Sequence, residues 1–200
     1  MNSITPNKRP ATNEDTCGPY FPDPFCDADR MDLVEVHPGL VATARGTPIV
    51  IEGRLIDIDG NLGNGAVLEF WQPNDRGIYR TPAHADHPDI DPWFDGYARC
   101  RSKDGKFSLR TIKPGALADR APNVTLTIFS DGISRLVTQI FLEGEAANAS
   151  DPLLTSLPEP LRSRLIAKST GANDRGEQVF SIDVVMAGNN ETPFFDDLES

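Results

Sequence analysis

The chain has 200 residues, with 30 acidic against 19 Lys and Arg side chains and a formal charge of −11. That balance argues against nucleic acid, whose phosphates it would repel, and against docking on anionic lipid. No apolar run approaches the roughly 20 residues a membrane-spanning helix needs. The composition is 38% hydrophobic with 17 Pro and 16 Gly, which reads as one turn-rich, mainly β domain with appended arms. Residues 1–16 are polar and lack the apolar core of a secretory signal. Cys17, Cys26 and Cys100 form no Cys-x-x-Cys pair. A sparse, odd set of that kind fits a reducing cytoplasm, the expected location.

Residues 1–47 are punctuated by Pro6, Pro10, Pro19, Pro22, Pro24 and Pro38, which leaves no room for a long helix or central strand. Tyr20, Phe21 and Phe25 stand among these prolines. A disordered tail usually avoids aromatics, so this is an extended arm, packed either on its own domain or across another subunit. From Pro48 the pattern alternates: PIVIEGRLIDI (48–58), a turn at Asp59-Gly60-Asn61, then AVLEFWQ (66–72) with Val67, Glu69 and Trp71 on one face. Residues 80–98 form a long loop rich in Pro, Asp and His, a length often tied to function. Asp104-Gly105 turns the chain into KFSLRTI, and VTLTIF (124–129), RLVTQIFLE (135–143) and QVFSIDVVMAG (178–188) are further strands. Short strands separated by turn signals predict an antiparallel β-sandwich over 48–200. One short helix is expected near 158–168. Pro158 and Pro160 suit its first turn, and Leu161, Leu165 and Ile166 form its apolar stripe.

The chemistry is harder to place. His84 and His87 sit in the long loop beside Asp86, Asp89 and Asp91. They have metal-ligand side chains, but on no rigid element, so they read first as a solvated acidic loop. His37, before Pro38, reads as structural or exposed. Cys100 alternates within a strand-like segment and reads as core. No Gly-x-Ser-x-Gly and no phosphate-binding loop is present. The stretch Arg110–Phe129, a strand running into Lys113-Pro114-Gly115 and back into a strand, is the best scaffold for mounting ligands.

Several segments together resemble the intradiol ring-cleaving dioxygenases. They are TCGPY (16–20), LEFWQPNDRGIYR (68–80), DPWFDGYARC (91–100), GKFSLRTIKPG (105–115), LVTQIFLEGE (136–145) and ETPFFD (191–196), spread in the family's order along nearly the whole chain. The resemblance implies a non-haem Fe(III) held by two tyrosines and two histidines. Tyr79 matches the first tyrosine. Leu117 stands at the second, and Asn123 and Thr125 stand at the two histidines, so the metal site is degenerate and no catalytic residue or metal ligand set is expected here. His84 and His87 match none of the missing positions. Arg120 and Gln139 match residues that lie just behind the ligands. Two-subunit members that cleave protocatechuate pair an iron-bearing β chain with a homologous iron-free α chain. This sequence resembles the α type. That implies an (αβ)n hetero-oligomer in which the iron sits in the partner β subunit, and which cleaves protocatechuate or a related catechol with O₂ to a cis,cis-muconate.

The resemblance further implies that the N-terminal arm crosses to the partner's pocket, with Thr16, Gly18 and Tyr20 lining it. The family's substrate-facing arginine falls at Asp131 here, with Arg135 four residues on. An aspartate there would repel a carboxylated ring, so Arg135 either compensates or the ring substituent differs. The rival readings are a stand-alone binding protein on the same scaffold, and a metalloenzyme using Tyr79, His84 and His87.

Overall fold

Eight strands carry the chain: β1 Pro48–Ile56, β2 Val67–Trp71, β3 Tyr97–Arg101, β4 Lys106–Ile112, β5 Asn123–Ser130, β6 Ser134–Leu142, β7 Ile166–Ala172 and β8 Gln178–Val185. The structure is a computed structural model that describes residues 28–35, 43–130 and 134–195. The strands run in the order β3-β2-β5-β6-β7-β8-β1-β4. The β6–β7 seam is parallel and consists of Phe141 opposite Ile166 and Leu142 opposite Ala167. At that thin seam the ribbon folds into two four-stranded halves. Neighbours within each half are antiparallel except β1 and β8, which run parallel over Ile49–Ile56.

The strand periodicity dictates the packing. Leu68, Phe70, Leu126, Ile128 and Ile140 of one half and Ile49, Ile51, Leu109 and Val184 of the other share a single buried cluster. The Phe70 and Phe107 rings meet across it at 5.2 Å. The sandwich expected from the sequence is therefore the fold. Cys100 is a buried residue of this core.

The helix expected over 158–168 is corrected to two short pieces, α1 Pro152–Ser156 and α2 Glu159–Arg162, followed by a 3-10 turn and then β7 from Ile166. Leu165 and Ala167, both fully buried, alternate inward, and β7 gains β6 and β8 as partners. Tertiary pairing thus overrides the helical stripe. The long loop also ends earlier than residue 98, because Tyr97 already belongs to β3.

Ahead of β1, Met31, Leu33 and Val34 join the main core, and the Leu33 amide donates to the Arg110 carbonyl at 2.8 Å. Arg110 binds Asp32 at 2.8 Å and Glu177 at 2.7 Å. These bonds, Glu177's first, hold its guanidinium protonated. Residues 1–27 and 36–42 of the expected arm lie outside the described residues. At the other end, Phe194 packs on the main core and Phe195 on a second cluster of Ala121, Phe141, Leu154 and Leu165. Both phenylalanines are thus anchors of their own chain.

The sequence motifs fall where the two halves are tied. Gln72, at the end of β2, donates to the Ile112 carbonyl at 3.0 Å and accepts from the Thr111 hydroxyl at 2.9 Å. Asn74 uses its side-chain oxygen to bind the Arg76 and Ile78 amides. Its backbone carbonyl accepts from Gly115 at 2.8 Å. Gly77 has φ 76°, and a Cβ there would sit 2.1 Å from the Ala116 carbonyl oxygen. A Cβ on Gly115 would sit 2.4 Å from the Gly77 nitrogen. Two backbones touch here with no side chain between them. Gly77→Ala must therefore move one loop off the other. Left-handed strain plus overpacking should lower stability by about 2–4 kcal/mol in urea titration. Gly176→Ala has the same positive φ and nothing within 4 Å, and should cost about 1 kcal/mol.

Candidate functional site

The strand register builds the site on the outer face of β3-β2-β5-β6. Trp71 lies opposite Thr125, and Thr125 lies opposite Gln139. Tyr79, positioned by the Asn74 turn, stacks on Trp71 with centroids 6.0 Å apart and planes 10° apart. Arg120 donates through Nη2 to the Gln139 side-chain oxygen. Its charge acts on the Tyr79 hydroxyl, opposing the burial that raises that group's pKa. Tyr79, Trp71, Thr125, Gln139 and Arg120 thus close a ring, each the neighbour of the next.

Arg120 is anchored from behind by Asp151, whose side chain is wholly buried. Asp151 Oδ2 accepts from Arg120 Nε at 2.9 Å and from the Ala121 amide at 2.8 Å. Its Oδ1 accepts from the Leu153 and Leu154 amides at 2.9 and 3.1 Å and so caps α1. A buried carboxylate survives only when its acceptor capacity is met in this way. Asp151 carries no family motif in the sequence reading and was missed there. Its signal was the Asp151-Pro152 pair, a cap followed by proline at the first helical position.

Leu117 is 42% exposed on the rim of the ring, in a turn closed by the Arg120 amide donating to the Leu117 carbonyl at 2.9 Å. Ala118, within that turn, has φ 52°. Asn123 is 7% exposed. Its Nδ2 donates to the Ala121 carbonyl at 2.8 Å, while its Oδ1 is enclosed without a partner. Asn123 and Thr125 share a face of β5, Trp71 opposite Thr125 carries Tyr79, and Leu117 stands in the turn that meets Gly77. As a donor set Tyr79, Asn123, Thr125 and Leu117 offer one phenol, one amide, one hydroxyl and one hydrocarbon. Fe(III) calls for anionic oxygen and imidazole donors, and this set does not fit it. Among the described residues no three His, Cys, Asp or Glu side chains come together to hold a metal.

The loop histidines are engaged locally. His84 Nδ1 lies 3.1 Å from the Tyr79 carbonyl and 3.3 Å from the Thr81 hydroxyl, and His87 Nδ1 accepts from the Asp89 amide at 3.2 Å. Asp91 is spent on the Arg45 and Trp93 amides. Arg135 is exposed, opposite Phe129 in the β5–β6 register. Thr16, Gly18, Tyr20 and Asp131 lie outside the described residues.

Beyond Trp71 the aromatic row continues to Tyr97, edge-on at 5.8 Å. The Tyr97 hydroxyl donates to Glu69 at 2.9 Å, and Arg99 Nε donates to the same oxygen at 2.8 Å. All three lie in the segments 68–80 and 91–100 that carry the resemblance, but nothing in the sequence pointed to their meeting.

A two-half sandwich with its site over the Tyr79 turn and the Arg120 loop defines a class. A family model described as "Dioxygenase" matches residues 16–188, and the chain belongs to the intradiol dioxygenase family, a group of oxidoreductases. The chain is 35% identical to the protocatechuate 3,4-dioxygenase alpha chain of Burkholderia cepacia over 92% of its own length and 96% of that protein's. It is 33% identical to the beta chain from the same organism, over 74% and 68%. Among solved structures, the intradiol ring-cleavage dioxygenase of Tetranychus urticae superposes with a TM-score of 0.62 at 19% identity, covering 84% of this chain and 90% of that one. The dioxygenase domain of a carbohydrate-binding fusion from Streptomyces sp. SirexAA-E gives 0.60 at 22% identity, over 88% and 95%. At those identities the two structures speak to the fold.

Burial, and then the bond to Glu69, push the Tyr97 hydroxyl up to about 12. Its folded value lies above the unfolded one of about 10. Its contribution to stability is therefore complete below pH 10 and lost as pH rises from about 10 to 12. The slope of stability against pH in that window should flatten in Tyr97→Phe, followed by urea unfolding alongside the ultraviolet tyrosinate titration.

Proposed function

We propose that this chain is the iron-free α-type subunit of an intradiol dioxygenase, pairing with a homologous iron-bearing β chain. One observation carries the reading: the ring around Tyr79 is intact as a scaffold, while Leu117, Asn123 and Thr125 fill the other three positions where the family resemblance places ligands. The likeness to both an alpha and a beta chain of one enzyme supports a pairing of two homologues. In the assembled (αβ)n enzyme, a catechol such as protocatechuate is opened with O₂ to a cis,cis-muconate at the partner's Fe(III). This chain contributes pocket wall and assembly surface in the cytoplasm. Residues 1–47 form the arm, anchored on its own core through Met31, Leu33 and Val34, whose N-terminal part reaches the partner, with Thr16, Gly18 and Tyr20 lining the shared pocket.

Produced with an iron-bearing homologue, the complex should hold one ferric iron per αβ pair, and the phenolate-to-iron colour should vanish when the partner's ligands are removed. Stoichiometric iron and that colour on this chain alone would overturn the assignment. A second experiment addresses the substrate. With Asp131 at the position of the family's arginine, Arg135 supplies the positive charge for a ring carboxylate. Arg135→Ala should erase the complex's preference for protocatechuate over unsubstituted catechol, and a preference left untouched removes Arg135 from the pocket.

A further inference from the structure

The half of the sandwich away from the Tyr79 turn carries like charges that its register sets face to face. On the outer face of β1, Arg54 lies directly opposite Lys106 of β4. Lys106 in turn lies opposite Lys103 across the Asp104-Gly105 turn. Cations placed opposite one another on a ladder repel. Asp183 of β8, opposite Arg54 on its other side, neutralises that guanidinium through bonds of 2.7 and 2.6 Å. The lysines have no such relief. Both are exposed, and neither has an acidic partner among the described residues. Arg54, Lys103 and Lys106 line an open groove of about 520 Å³ with Ser108, Ser181 and a single carboxylate, Glu52. The groove runs on past Arg54 and Ser181 into a second of about 630 Å³ beside Arg164 and Lys168. Those two are engaged, Arg164 with the Glu191 carbonyl at 2.8 Å and Lys168 with Glu143 at 3.1 Å. The uncompensated positive charge therefore sits at Lys103 and Lys106, in a chain whose formal charge is −11.

The matching anion is carried by the same chain. The loop between β2 and β3 exposes Asp86 and Asp89, and neither carboxylate has a partner among the described residues. Arg45 and Arg80, the cations that reach this loop, are turned to the carbonyls of Asp89, Ile90 and Pro92. Two successive turns, closed by the His87 amide on the His84 carbonyl and the Ile90 amide on the His87 carbonyl, both at 3.0 Å, fix the two aspartates three residues apart. Trp93, 44% exposed, follows them with an aromatic face of the kind that packs on lysine stems and heads. The loop is held to its own half by Asn74 Nδ2 on the Asp89 carbonyl at 2.8 Å, whereas the groove lies on the outer face of the other half.

We propose that the groove at Lys103 and Lys106 docks the acidic loop 84–95 of a second copy of this chain. Asp86 and Asp89 enter between the facing cations, which relieves the repulsion in the groove and pairs both unpartnered charges of the loop. Two different surfaces meet, so the contact is heterologous and, repeated about an axis, closes a ring of copies. Under the α-type reading above, on which this last step rests, it is the contact that joins αβ pairs into (αβ)n.

Sedimentation velocity of the αβ complex tests this. At low salt the complex should sediment as more than one pair, and raising salt to about 0.5 M should weaken the association between pairs about tenfold or more, because the paired charges are screened. Lys103→Glu with Lys106→Glu should leave single pairs. Asp86→Lys with Asp89→Lys should do the same. All four changes together exchange the charges and should restore the larger assembly. The positions are exposed, so iron per pair should stay constant throughout the series; that quantity reads the subunit assignment, and particle size reads the contact. Should the chain prove to act without a partner, the same series on the chain alone reads the same contact. Single pairs in the wild type, an assembly that either double change leaves intact, or a fourfold exchange that fails to restore it would each overturn the proposal.

Discussion

Everything at the site hangs on two backbones meeting without a side chain between them. Gly77 and Gly115 let the turn after β2 lie directly on the Lys113-Pro114-Gly115 turn, and the Asn74 carbonyl fixes that contact with the Gly115 amide. On one side of it Tyr79 is delivered to the face of Trp71. On the other, Leu117 and Arg120 are delivered to the same face. Gln72 ties the end of β2 to the end of β4, so the two halves of the sandwich set the angle at which the turns meet. The residues by which the family is recognised, Gln72, Asn74, Gly77 and Gly115, are therefore the frame of the site and not its chemistry. The frame therefore does not depend on which side chains stand at 117, 123 and 125.

The energetic weight behind Arg120 is of a different kind. Asp151 sits where four donors converge, two from the start of α1, one from the backbone of Ala121 and one from Arg120 itself. Helix position, loop position and guanidinium position are a single solution to the burial of one carboxylate. The expected helix over 158–168 missed this, because a proline-led apolar stripe pointed downstream of the capping aspartate.

The legible part of the fold was the part with strand composition. β4, β5 and β8 alternate apolar and polar residues, β1, β2 and β6 are rich in β-branched and aromatic side chains between turn signals, and each lies where that pattern put it. β7 was not legible. Ile166, Ala167 and Lys168 continue the stripe of a helix as readily as the alternation of a strand, and the decision comes from β6 and β8, which no local window contains. The resemblance assigned Tyr79, Leu117, Asn123 and Thr125 to ligand positions; of these, the strand register sets Thr125 opposite Trp71, on which Tyr79 stacks. The stacking of Tyr79 on Trp71 and the Tyr97–Glu69–Arg99 cluster were not legible, because they follow from strand register, which sequence alone leaves open. His84 and His87 stand in the long loop where the sequence put them, each bonded to a residue close by in the chain.

The Arg120–Asp151 pair limits what this face can offer a cation. A metal is held by several donors at once, so a single histidine placed at 123 or 125 would confer almost no affinity, and one at 123 must fit a position only 7% exposed. A tyrosine at 117 would enter beside a turn that places Ala118 in left-handed backbone. The guanidinium stays fixed to a buried carboxylate, a standing positive charge on this face. Building a metal site here would take several substitutions made together, and no single one of them would help.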